Sequence, residues 1–155
     1  MKNRIVILTF LCALAFSSFK VGDATEKFGK QFFKLLKASP KASEADIKTQ
    51  FISLQELRTF PKTELAELSQ EQFNGFIQEN IDNLKESLKD FGIVCNEIKY
   101  VKTEIQSAKE KDIDIKKIDI YFEHGVRYFV LKLITIPYQN QLKLVYIMPI
   151  TYAEE

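Results

Sequence analysis

His124 is the only histidine in the 155-residue chain, and it stands in the stretch Glu-His-Gly-Val at 123–126. A histidine that carries protons needs a pocket and a positioned partner. One beside a glycine, between two apolar runs, reads as a solvated turn residue, and it becomes a proton carrier only if that turn rims a cavity. Asp112, Asp114 and Asp119 supply carboxylates in the same region. They alternate with Ile113, Ile115, Ile118 and Ile120, so the two-residue period of a strand sends them to the face opposite the isoleucines. That pattern reads as a solvated strand face. Tyr100, Tyr121, Tyr128 and Tyr146 lie in strand-like runs. They are either good strand residues with a phenol in water or candidates to line a ligand pocket with apolar walls and hydroxyl handles. The chain lacks a Cys/His cluster, so no metal site is expected. It also lacks a glycine-rich phosphate loop and a Gly-x-Ser-x-Gly elbow, and no cofactor is implied.

The two cysteines, Cys12 and Cys95, fall in different contexts. Cys12 lies inside an apolar run, Ile5 to Phe16, interrupted only by Thr9. Lys2 and Arg4 precede that run. The small residues Ala15 and Ser17, and then Gly22 and Ala24, follow. This is the layout of a secretory signal peptide, with cleavage after Ser17 or after Ala24. The run is shorter than the roughly 20 residues that span a bilayer. It is apolar all round, unlike a helix with one face in water. Phe10 and Leu11 stand where a lipobox would need small residues, so Cys12 reads as part of the removed segment. Cys95 is then alone and cannot form an internal disulfide. Beside Ile93 and Val94 it reads as a buried thiol. The expectation is an exported protein, periplasmic or extracellular if bacterial, with residues 1–24 as leader and 25–155 as one domain.

Without residues 1–24, which hold Lys2, Arg4, Lys20 and Asp23, the chain has 19 basic and 20 acidic residues, a formal charge of −1. That balance argues against a nucleic-acid partner, which favours a basic face. Stretches such as Lys109 to Lys117 mix signs closely and read as solvated surface. Thirteen Phe residues imply a substantial core.

The periodicity then places the elements. Phe28, Phe32, Leu35 and Leu36 recur at helical spacing and end near Pro40. Ser43 and Asp46 are spaced as a capping box ahead of Ile47, Phe51 and Leu54, and Pro61 breaks that element. Ser69 and Gln72 form a second capping box. After it, Phe73, Phe76, Ile77, Ile81, Leu84, Leu88 and Phe91 make one stripe over about 69–91, closed by Gly92. Beyond Gly92 the period becomes that of strands. Residues 93–106 read as one long, bent strand. In 112–122 the isoleucine parity shifts across Lys116-Lys117, as one inserted residue in a β-bulge would cause. Gly125 marks a hairpin turn, Tyr138 to Gln141 a second turn, and Leu142 to Tyr152 a last strand. Helices followed by an antiparallel meander of about four strands make an α+β domain, with the helices on one face of a curved sheet.

That order, and the hairpin IDIYFEHGVRYFVLKL with the later strand LKLVYI, resembles the nuclear transport factor two-like cone and the related cystatin-like layout. The resemblance covers about residues 25–152. It implies a pocket between the helices and a concave sheet, as in ketosteroid isomerases and polyketide cyclases. The Gln-Asn-Gln-Leu-Lys stretch at 139–143 does not match the inhibitory hairpin of cystatins.

The last two strands are apolar on both faces. Val130 alternates with Leu131, and Leu144 with Val145, so both parities are candidates for an interface. Helices on one face leave the other to a second subunit, an apolar ligand, or the chain itself through residues 38–66. The sequence therefore points to an exported, non-catalytic binding or interaction domain, with a possible homodimer through the sheet. A small isomerase- or cyclase-like enzyme is the alternative. A buried acid aimed into a closed cavity would favour the enzyme.

Overall fold

The computed structural model describes residues 24–61, 63–110 and 112–153. Residues 1–23 of the expected leader, 1–24, lie outside the described residues. Helix α1 (Ala24–Lys37), α2 (Glu44–Gln50), α3 (Leu54–Leu57) and α4 (Gln70–Asp90) come first. Strands β1 (Lys99–Glu110), β2 (Ile113–His124), β3 (Arg127–Tyr138), β4 (Gln141–Ile147) and β5 (Thr151–Tyr152) follow. The fold is α+β. The sheet is an open antiparallel meander in the order β1-β2-β3-β4, and β5 also pairs with β3.

The amphipathic helices form where the apolar spacing predicts them. α1 buries Phe28, Phe32, Phe33 and Leu36, whereas Leu35 is only half-buried. A Cβ at Gly29 would stand 3.0 Å from Thr103 on β1 and 3.3 Å from Ile118 on β2. The missing side chain lets α1 settle close on the sheet. α4 starts at the expected capping box, with Ser69 and Gln72 satisfying each other's backbone N–H groups, and Gly92 takes φ +63 just past its end. The 43–58 region departs from expectation. Ser43 does not cap α2; its hydroxyl donates to the Leu35 and Ser39 carbonyls, each at 2.8 Å. The helix stops at Gln50, and Ser53 with Glu56 makes a separate capping box for α3. The chain between them is extended: Phe51 forms a parallel bridge to Leu144, and the Ile52 N–H donates to the Leu144 carbonyl.

The strands also correct the reading. Residues 93–98 are not strand; Cys95–Glu97 form a short 3-10 turn, and β1 begins at Lys99. β2 has no bulge at Lys116-Lys117, because its register runs straight through on both sides. The parity shift has another cause. Ile118, Ile120 and Phe122 point to one face and pack in a first core with α1 and the C-terminal part of α4. Ile113 and Ile115 point to the other face, into a second core. The strand alternates evenly while the covered face changes along its length. Bulges occur instead at Val101 in β1 and Val145 in β4. The last strand is interrupted, with β4 ending at Ile147 before Pro149 and β5 resuming at Thr151. The turns are tight, with Gln139 and Asn140 at φ +45 and +63, the two positive values of a type I′ hairpin turn.

The second core is built by the same chain. Ile52, Leu54, Leu57, Phe73 and Phe76 pack on Ile113, Ile115, Ile134, Ile136 and Val145, with Phe60, Leu65 and Leu68 at the margin. α4 therefore straddles the β4 edge, contributing Phe73 and Phe76 to one face and Ile81, Leu84 and Leu88 to the other. Asn80 sits at the crossing. Its amide donates to the Phe76 carbonyl at 2.9 Å, and its carbonyl oxygen accepts the Ile147 N–H at 2.8 Å. Among the described residues no helix is long and apolar enough to cross a membrane.

Candidate functional site

Each face of the sheet is covered along only part of its length. Near the β2–β3 turn the first face lies under α1 and α4, and the second face is bare of helices. This bare half carries Lys117, Asp119, Tyr121 and Glu123 of β2. Across from them lie Lys102, Glu104 and Gln106 of β1 and Tyr128, Val130 and Lys132 of β3. Among the described residues it is the polar cluster that surrounds a buried carboxylate, Asp119.

Asp119 faces away from Ile118 and Ile120, on the same face as Ile113 and Ile115, but it is not in water: it is 5% exposed. Its Oδ2 lies 3.8 Å from Lys117 Nζ, while its Oδ1 and the Gln106 Oε1 are buried without a hydrogen-bond partner. Burial pushes the Asp119 carboxyl up from its ordinary value; Lys117 and Lys132 oppose that, and Glu104 adds to it. Next to it, the Tyr121 hydroxyl donates to Glu104 Oε2 at 3.0 Å, and Lys102 Nζ stands 4.7 Å from the Tyr121 ring centre. Burial and that hydrogen bond push the Tyr121 phenol up to about 12. The Lys102 ammonium, 2.6 Å away, holds Glu104 below the usual carboxylate range. Tyr121 is thus a hydrogen-bond donor and not a poised base. Tyr128 is 54% exposed and Val126, in the adjoining turn, 94%.

The four expected tyrosines do not line one pocket. Tyr121 and Tyr128 are diagonal neighbours on the bare half of the second face. Tyr100 belongs to the first face, its ring edge-on to Phe33 at 5.5 Å and its hydroxyl donating to Thr103. Tyr146 stacks on Phe76 at 6.1 Å beside the second core. The four interface candidates are buried within the single chain: Leu131 and Leu144 in the first core, Val145 in the second, and Val130 beneath the polar cluster. Asp112 and Asp114 are exposed, as read. His124 ends β2; its Nε2 accepts the Val94 N–H at 3.2 Å and lies 3.7 Å from Glu97, so it ties the hairpin to the segment before β1. Cys95 is half-buried against the first core, and burial pushes its thiol up. Among the described residues no group of three His, Cys, Asp or Glu side chains could hold a metal ion.

A cavity of about 20 Å³ opens in the second core between Leu57, Thr63, Leu65, Ile113 and Val145, with the partly exposed Glu110 at its edge. It has room for about one water, far below the roughly 300 Å³ of a small-ligand pocket, and Asp119 does not line it.

Sequence reasoning missed Asp119 as a buried group, because alternation gives a side chain's face and not what lies over that face. No protein family, curated protein or solved structure matches the chain.

Proposed function

We propose that this chain is an exported, non-catalytic interaction domain that engages a polypeptide partner through the bare half of the second sheet face. The observation that carries this reading is the separation of the buried acid from the cavity. An isomerase-like site needs its carboxyl aimed into a chamber that admits substrate. Here Asp119 lies under the side chains of a sheet face, and the cavity is water-sized and elsewhere. What the bare half does present is a surface with Tyr121 and exposed Tyr128 among Lys102, Glu104, Lys117 and Lys132. Aromatic side chains with polar neighbours are the composition favoured at protein interfaces. A photo-crosslinking residue placed at Tyr128 in the native host tests it, with one at Glu86, on the outer surface of α4, as reference. One discrete adduct at 128 and none at 86 is expected. An adduct of twice the chain mass would make the partner a second copy. Equal labelling at both positions, or none, would sink the reading.

Export is the second part of the proposal. Thr25 favours the earlier of the two cleavage positions. It is 2% exposed in the first turn of α1. Cleavage after Ala24 would leave a free ammonium there, buried and at the positive end of the helix dipole. Cleavage after Ser17 keeps that charge clear of the helix. Mass spectrometry of the protein from its native host should find Ser18 as the first residue; an intact Met1 in the cytoplasm would reject export.

A further inference from the structure

We propose that the outer surface of α1 is an electrostatic docking face for an anionic phospholipid membrane. α1 directs Thr25, Phe28, Gly29, Phe32, Phe33 and Leu36 into the protein. At about 100° per residue, Lys27, Lys30, Lys34 and Lys37 fall within an arc of roughly 80° on the side away from that buried stripe, with Lys30 also 5.9 Å from the Tyr100 ring centre. All four are exposed, and exposed Lys41 follows in the next turn. One acid interrupts the array: Glu26 pairs with Lys30 at 2.7 Å. Lys27, Lys34, Lys37 and Lys41 form no ion pair with any described residue. Solvated helix surfaces ordinarily mix signs. The outer side of α4 does so with an acidic excess, carrying Glu71, Glu79, Asp82 and Glu86 beside Lys85 and Lys89. The whole chain is close to neutral at +1, so the lysine arc is a local polarisation and not a by-product of a basic protein.

A membrane is the occupant for three reasons. The arc is a row of flexible point charges without arginine forks or interleaved exposed aromatics, which suits a fluid sheet of headgroups better than bidentate recognition of a defined anion. α1 also begins eight residues after the apolar run Ile5 to Phe16, which is the segment of this sequence that enters a membrane during export. Finally, the geometry leaves the proposed partner surface free: α1 lies over the first sheet face, so docking through it turns the second face toward solvent.

The apolar side of α1 is already occupied by the core. Docking therefore uses charge alone, unlike an interfacial helix that buries its apolar face in lipid, and it must be abolished by salt. Each lysine contributes a factor of about five to partitioning onto an anionic surface. Co-sedimentation of the mature chain, beginning at Ser18, with phosphatidylcholine vesicles, with and without phosphatidylglycerol, tests this. The parent should bind the anionic vesicles more tightly at low salt. The combined variant Lys27→Gln, Lys34→Gln, Lys37→Gln and Lys41→Gln should weaken that binding about 600-fold, and salt near 0.5 M, where the screening length falls below about 5 Å, should abolish it. The corresponding four Lys→Arg changes should restore it, and Lys89→Gln should leave it within about twofold. Circular dichroism checks that each variant keeps its fold. Equal binding of the parent to neutral and anionic vesicles would overturn the proposal, as would a folded glutamine variant that binds like the parent.

Discussion

The two faces of the sheet are covered by different kinds of chain. Over the first face lie α1 and the C-terminal part of α4, and twenty buried residues pack there. Over the second lie short turns and an extended link from Ile52 onward, closed by the start of α4, with ten. Both covers stop part-way along the strands. Where the second stops, the sheet carries Asp119 and its lysines in place of isoleucine. Coverage and composition change together along β2, whose alternation never breaks. The three twelve-residue strands β1, β2 and β3 are thus half-buried on both sides under a partial cover on each.

The sharpest test of this contrast uses adjacent residues of β3. Leu131→Glu would put an unpaired carboxylate among Leu36, Ile120 and Phe122 of the first core. A cost above about 5 kcal/mol, enough to unfold a typical domain, is expected. Val130→Glu points to the polar half, where Lys132 and Lys117 are on the same face, and the domain should stay folded. Circular dichroism distinguishes them. If both unfold, the second face is as dry near the β2–β3 turn as at the far end.

Core truncations rank the two covers. Leu84→Ala removes a fully buried side chain between α4 and the sheet and should cost about 2–5 kcal/mol. Leu57→Ala removes one that already borders the cavity and has fewer contacts to lose, so its cost should lie near 2 kcal/mol. Urea unfolding gives both values. A larger cost at Leu57 would reverse the ranking.

Asn80 joins the two covers, and its loss should be felt by both. Asn80→Ala leaves the Ile147 N–H buried without an acceptor, at about 1–3 kcal/mol. The same urea experiment should show one transition with an unchanged slope. A shallower slope or a second transition would mean that the covers unfold separately.

The smallest effect concerns pH. The Asp119 carboxyl is raised, so the folded protein holds its proton more tightly than the unfolded chain. The contribution of Asp119 to stability is then fully present below the ordinary aspartate value of 3.8, falls as pH rises from there to the folded value, and is flat above it. Asp119→Asn should remove that fall and stabilise the neutral protein by up to about 1 kcal/mol. Urea midpoints at acidic and neutral pH measure it; a variant less stable than the parent at neutral pH would mean that the Lys117 pair outweighs the burial. Glu44 behaves oppositely. Its hydrogen bonds to Lys85 and Lys48 hold it down to about 2, so its contribution is present above its ordinary value and lost as pH falls through about 2.

Local pattern alone determined a good deal here: the faces of α1 and α4, the capping box at Ser69, the turns at Gly125 and Asn140, and the antiparallel meander. These are properties of helical and strand periods and of backbone dihedrals, which act over a few residues. The double apolarity of β3 and β4 also showed that both faces had to be covered. Only the tertiary structure decided by what. Ile52 reaches Leu144 across more than ninety residues, and α4 crosses an edge that does not exist until β4 is in place. Ser43 turns its hydroxyl back to Leu35 instead of capping α2. Asp119 is buried because Lys117 and Tyr121 of its own strand, and Glu104 and Lys132 of its neighbours, surround it. A side chain's period says which way it points, but its environment depends on chain segments that only packing brings together.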